Sequence, residues 1–143
     1  MDPMDLTEKR TVLVVDDSRE SLQILNELLQ ERYRVRLASN GDQALKAALQ
    51  DPKPDVILLD IMMPGIDGYE VCGRLKLDAA TKDIPVIFIS SKSQPEEAEL
   101  GFEFGCADYI TKPIMRSVVL ARVKTHVALK VALEFLRAHG GNL

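Results

Sequence analysis

Hydrophobic and polar positions along this chain follow two alternating periods. Short apolar or β-branched runs at 12–15, 35–38, 56–59, 86–89 and 108–111 have the character of strands. Between them, apolar residues recur at helical spacing. Leu22, Leu25 and Leu29 follow the first run, with Ile24 and Leu28 widening the stripe. Ala44, Leu45, Ala48 and Leu49 follow the second, and Val71, Cys72 and Leu75 the third. Three helix starts carry a capping residue followed three positions later by Glu or Gln: Asn40–Gln43, Asp67–Glu70 and Ser93–Glu96. Gly105 stands where the fourth helix should end. A last segment, 117–136, is apolar along one face through Val118, Val119, Val123, Val127, Val131 and Phe135. It would be about 30 Å long, against about 17–20 Å for an ordinary strand, so part of it is expected to project beyond the sheet.

Strands alternating with single helices imply parallel strands joined by right-handed crossovers. The first and third runs are apolar throughout, as central strands covered on both faces should be. The second alternates (Tyr33-Arg-Val-Arg-Leu37) and suits an edge. The expected fold is α/β: a flavodoxin-like, doubly wound, five-stranded parallel sheet of order 2-1-3-4-5 with five helices, the last extended. Such sheets place their site at the carboxyl ends of the strands. The expected organisation is a disordered leader over 1–9, a domain core over 10–115, a final helix with its extension over 116–137, and a flexible tail over 138–143.

Composition narrows the functional classes. The 143 residues suffice for one domain with a sizeable core. The formal charge of −4, from 18 basic and 22 acidic side chains, argues against direct nucleic-acid binding. No apolar run is long enough for a bilayer, and the N-terminus has no signal-like apolar segment, so a cytoplasmic protein without membrane contact is expected. Cys72 and Cys106 have neither disulfide-scaffold nor zinc spacing and read as buried free thiols. His126 and His139 read as exposed helical histidines.

The chemistry lies where the strands end. The first strand runs into Asp16-Asp17, the third into Asp60, the fourth into Ser90-Ser91 and the fifth into Lys112-Pro113. One Asp of the first pair could simply cap the following helix. Asp60 is harder to explain that way, because it interrupts an apolar stretch where an unpaired charge is costly. Three carboxylates on one rim repel one another, and a divalent cation relieves them. All-oxygen ligands favour Mg²⁺. A lysine ammonium and a serine hydroxyl beside that ion suit a phosphoryl group. A carboxylate can accept the phosphoryl group as a nucleophile, and Asp60, on the central strand, is best placed to do so.

The segments VLVVDDS, DVILLDIMMPGIDGYEV, PVIFIS and DYITKP, in this order and spacing, make the chain resemble the receiver domain of two-component response regulators from about Arg10 to about Arg137. The resemblance implies that Asp60 takes phosphate from a phosphohistidine on a sensor histidine kinase or phosphotransfer protein. It implies that Asp17, Asp60 and the Met62 carbonyl bind Mg²⁺ directly, with Asp16 acting mainly through water. Ser90 would bond a phosphoryl oxygen and Lys112 would pair with phosphorylated Asp60, next to a cis Lys112-Pro113 bond. Tyr109 would be the aromatic switch, and the face of the fourth helix, fifth strand and fifth helix would change. That face or the extended last helix is a candidate homodimer seam. The extension resembles the linker of regulators that carry a cyclic-di-nucleotide cyclase, a phosphodiesterase or another output domain. Met62, with Lys92 opposite, is expected to shield the acyl phosphate from water. The first turn of the last helix lacks a strong cap at Ile114-Met-Arg and is expected to be irregular.

The implied protein is a signalling switch rather than a turnover enzyme, although it assists its own phosphorylation and dephosphorylation. The main alternative is a Mg²⁺-dependent phosphohydrolase working through an aspartyl-phosphate. Such enzymes carry a second acid two residues after the nucleophile, and here that position is Met62. A flavodoxin-like cofactor binder would want a Gly/Ser/Thr-rich loop after the first strand, where this chain has two aspartates. A degenerate receiver that only mediates contacts fits poorly with all five polar residues present.

Overall fold

A computed structural model describes residues 9–91 and 95–139. Its elements run β1 (Arg10–Val15), α1 (Arg19–Leu29), β2 (Tyr33–Ala38), α2 (Gly41–Leu49), β3 (Val56–Asp60), α3 (Gly68–Leu77), β4 (Val86–Ser90), α4 (Pro95–Glu103), β5 (Asp108–Thr111) and α5 (Arg116–His139). The five strands form one parallel sheet in the order β2-β1-β3-β4-β5. The flavodoxin-like order expected from the pattern is therefore the observed one.

Two apolar layers cover the sheet. Val12, Val14, Leu58, Ile87 and Ile89 face one way and pack on α1 and α5 through Leu25, Leu29, Val119 and Val123. Leu13, Val15, Ile57, Leu59 and Phe88 face the other way and pack on α2 and α3 through Ala44, Ala48, Val71 and Leu75. Alternate side chains of one strand thus serve opposite layers, which is why β1, β3 and β4 read as unbroken apolar runs. Cys72 and Cys106 are both buried free thiols in the second layer.

The caps fall close to the sequence signals. Asn40 accepts the Gln43 N–H at 2.9 Å and Asp67 the Glu70 N–H at 2.9 Å. Gln43 reaches back to the Ser39 N–H at 2.8 Å, one residue earlier than a regular capping box. The cap expected at Ser93 lies outside the described residues. At the end of α4, Gly105 has φ +95. The Cys106 N–H bonds to Gly101 O at 3.1 Å and the Gly105 N–H to Phe102 O at 3.0 Å, a Schellman ending.

Three expectations about α5 need adjusting. The first turn of α5 is regular, with the Val119 N–H donating to Met115 O at 3.0 Å. At its far end the helix continues through Ala138 and His139, where a tail was expected. His139 stacks on Phe135 at 4.3 Å between centroids, and its Nδ1 lies 3.0 Å from Phe135 O. His126 is not exposed: its side chain is 12% accessible and its Nε2 lies 3.0 Å from Asp108 Oδ2, because this turn of α5 packs over β5. Of the expected leader, residues 1–8 lie outside the described residues, and Lys9 donates to Gln30 O at 3.1 Å.

A charge cluster holds the inward side of α5 at the rim opposite the strand C-termini. Asp55, just before β3, is buried and accepts the Thr11 N–H at 2.8 Å and Lys130 Nζ at 3.2 Å. Glu134 pairs with Arg10 at 3.2 Å and also with Lys130. The outward face of the helix is apolar at Leu129, Leu133 and Leu136, all exposed.

Candidate functional site: an acidic rim with a buried acceptor

The site forms where β1, β3, β4 and β5 end. Asp16 follows β1 and is only 1% accessible. Its Oδ1 accepts the Ser18 N–H at 2.9 Å, and its Oδ2 accepts Lys112 Nζ at 3.1 Å. Asp17, the next residue, is exposed. Asp60 is the last residue of β3 and 4% accessible; its Oδ1 accepts the Met62 N–H at 3.2 Å. One carboxylate oxygen from each of Asp16, Asp17 and Asp60 lies within 4.8 Å of the others.

Ser90 ends β4 fully buried, and its carbonyl accepts the Lys112 N–H at 2.7 Å. That bond brings Lys112 to the rim, ahead of a cis Lys112-Pro113 peptide. Tyr109, half-buried, sits opposite Phe88 in the β4–β5 register, two residues before the Ser90–Thr111 pair. It packs against the layer that contains Phe88.

Asp16, Asp17, Asp60, Ser90 and Lys112 therefore reach one rim, with Met62 beside Asp60 and Tyr109 two residues before the end of β5. Two details add to the expectation. Lys112 rests on Asp16 here, while remaining close enough to act on Asp60 electrostatically. The α1 cap is neither Asp16 nor Asp17 but Ser18, whose hydroxyl accepts the Ser21 N–H at 3.3 Å. Sequence reasoning passed over Ser18, although a serine just before an amphipathic run is a cap signal. By ordering the turn, Ser18 also aims its own N–H at Asp16. Lys92 lies outside the described residues, so of the expected shield only Met62 is placed: it is 53% accessible beside the acceptor.

Electrostatics single out Asp60. Its carboxyl is pushed up to about 7, first by burial and then by the charge of Asp16. Lys112 and the Met62 N–H oppose the rise. A buried acid pressed by another acid is relieved by a cation, and the donors that converge here are all carboxylate oxygens. This donor set fits Mg²⁺, a hard ion that uses few carboxylates and keeps several waters.

The sequence profile of the response regulator receiver domain matches residues 12–124. The chain belongs to that family. It is a phosphorylation-dependent switch of two-component signalling. Receivers characteristically bind Mg²⁺ in an acidic pocket, and take phosphate from histidine kinases or phosphotransfer proteins. This receiver is 41% identical over 126 residues to a Vibrio cholerae protein named "Probable cyclic di-GMP phosphodiesterase", and 41% identical over 127 residues to the response regulator PleD of Caulobacter vibrioides. Each match covers 88% of this chain but 28% of the relative, so the chain spans less than a third of their length. Among solved structures, the BeF3-activated DrrB receiver domain of Thermotoga maritima superposes with a TM-score of 0.77 at 33% identity, covering 85% of this chain and 99% of that one. Among the described residues, no helix of this receiver is long and apolar enough to cross a membrane.

Proposed function

We propose that Asp60 is the phosphoacceptor of this receiver. The observation that carries the assignment is its position: a buried carboxylate at the end of the central strand, with an oxygen within 4.8 Å of an oxygen of Asp16 and of Asp17. An Asp60 oxygen attacks the phosphorus of a phosphohistidine, the P–N bond breaks, and the imidazole nitrogen keeps the electron pair. Asp17, Asp60 and the Met62 carbonyl would hold Mg²⁺ directly and Asp16 would hold it through water. When bound, the ion neutralises the acidic rim and the phosphoryl oxygens. Lys112 leaves Asp16 for the phosphorylated Asp60, and the Ser90 hydroxyl bonds a phosphoryl oxygen.

The output follows from the added charge. Ser90 is drawn toward the new acceptor oxygens, and Tyr109 in the neighbouring strand turns into the space released. That change is read on the face of α4, β5 and α5, where a partner or second copy docks. The domain works in the cytoplasm, as the receiver module (core 10–115 with the α5 extension) of a regulator in cyclic-di-nucleotide signalling. The last part of this reading is supported by the 41% identical Vibrio cholerae relative, whose name is that of a probable cyclic di-GMP phosphodiesterase.

A phosphohydrolase is disfavoured, because the thioether of Met62 cannot act as a general acid or base two residues after Asp60. The test is intact mass after incubation with Mg²⁺ and a small-molecule acyl-phosphate donor. A single phosphoryl-sized gain is expected that requires Mg²⁺ and disappears in Asp60→Asn. Full labelling of Asp60→Asn overturns the assignment.

A further inference from the structure

We propose that Gly68 is a positioning residue for phosphoryl transfer: lacking a side chain, it lets the start of α3 rest on the backbone of Asp60 and so fixes where the acceptor carboxylate stands. The inference rests on the assignment of Asp60 above, and deepens it.

The loop after β3 closes on itself. The Ile61 N–H donates to Ile89 O at 3.2 Å, and Ile61 O accepts the Gly68 N–H at 2.9 Å. Gly68, buried as the first residue of α3 behind the Asp67 cap, is thereby drawn onto the end of β3. A Cβ on Gly68 would stand 2.5 Å from the Asp60 carbonyl oxygen, 2.7 Å from Ile61 Cα and 3.1 Å from the Asp60 carbonyl carbon. All three are backbone atoms that cannot rotate away. Ordinary Cβ contacts begin near 3.4 Å, so a methyl group must displace α3 or the Asp60–Ile61 peptide by about 0.9 Å. That peptide leads straight to the Met62 N–H on Asp60 Oδ1. Displacements of about 1 Å at reacting groups can cost about 100-fold in rate.

Glycine is needed here for space, not for its conformation, since only Gly65 and Gly105 have positive φ among the described residues. Elsewhere in a helix, replacing glycine by alanine is favourable. The two effects can therefore be separated. Gly73, in the same helix, is the control: its Cβ would meet only the Phe104 ring, at 3.4 Å. Gly41 supports the other end of the loop, where a Cβ would stand 2.9 Å from Val71 Cγ2 in α3, 3.0 Å from Ile66 Cβ and 3.2 Å from Ile66 O.

The experiment compares wild type, Gly68→Ala, Gly73→Ala and Gly41→Ala below their unfolding temperatures. It measures the initial phosphorylation rate with a small-molecule acyl-phosphate donor, and Mg²⁺ affinity by calorimetry. Gly68→Ala should lose at least about ten-fold in rate and weaken Mg²⁺ binding, while Gly73→Ala stays within about two-fold. A folded Gly68→Ala within about two-fold of wild type in both readouts overturns the proposal. If Gly68→Ala does not fold, Gly41→Ala decides: a loss of about three-fold or more supports the loop-seating role, and an unchanged rate overturns it. Failure of the Asp60 assignment looks different, since wild type would then carry its label on another residue.

Discussion

Replacing Asp60 by Asn should stabilise the metal-free protein at alkaline pH, although it removes the acceptor. The folded state holds the Asp60 carboxyl at about 7 against an ordinary 3.8. Between those values the folded state binds more protons than the unfolded chain. Stability therefore falls as pH rises through that window, and the full penalty is present above it. Three pH units at about 1.4 kcal/mol each set a ceiling of about 4 kcal/mol, and water entering the rim reduces this to about 2–4 kcal/mol. Asparagine carries no charge, and its amide can donate to Asp16 as the protonated carboxyl would. Urea unfolding in chelator should thus show Asp60→Asn more stable than wild type by about 2–4 kcal/mol at pH 8, with the gap nearly closed near pH 4. Mg²⁺ at pH 8 should raise the wild type toward the variant. A variant less stable than wild type at pH 8, or a gap that does not change with pH, refutes the claim that burial and Asp16 strain this carboxylate.

Other consequences are as direct. Lys130→Met breaks a pair with the buried Asp55 at 3.2 Å; it should cost about 1–3 kcal/mol in urea unfolding and raise hydrogen exchange over 128–139, with the phosphorylation rate unchanged. Met62→Asn exchanges an exposed apolar group beside the acceptor for one that can hold water. It should speed loss of the phosphoryl group several-fold in a dephosphorylation time course, and an unchanged lifetime removes the shielding role. Burial raises the Cys72 thiol to about 11 and the Cys106 thiol to about 12. Alkylation at pH 8 should therefore be far slower in the native protein than in urea, and equal rates contradict their burial.

The fold was legible because its signals agreed with one another. Apolar runs at β1, β3 and β4, an alternating β2 and caps at Asn40 and Asp67 all point to one alternating α/β order, and the sheet follows it. The convergence of Asp16, Asp17, Asp60, Ser90 and Lys112 was legible for the same reason, since strand ends in a parallel sheet share a rim. Contacts that depend on packing between distant segments were not. His126 looks like any polar residue of an amphipathic helix until β5 supplies Asp108 beneath it. Asp55 gives no hint that residues 75 and 79 positions away, Lys130 and Glu134, will gather with it around Arg10. The closeness of Gly68 to the Asp60 backbone is a distance of a few ångströms that no residue pattern encodes.

The most direct test of the central claim is to locate the phosphoryl group chemically. After phosphorylation in Mg²⁺ by a small-molecule donor, borohydride reduction converts the acyl phosphate to a stable alcohol, and peptide mass spectrometry reads its position. The account predicts a single reduced residue, at Asp60. Reduction at Asp16 or Asp17, or an unreduced phosphoryl group on a histidine such as His126, would contradict it.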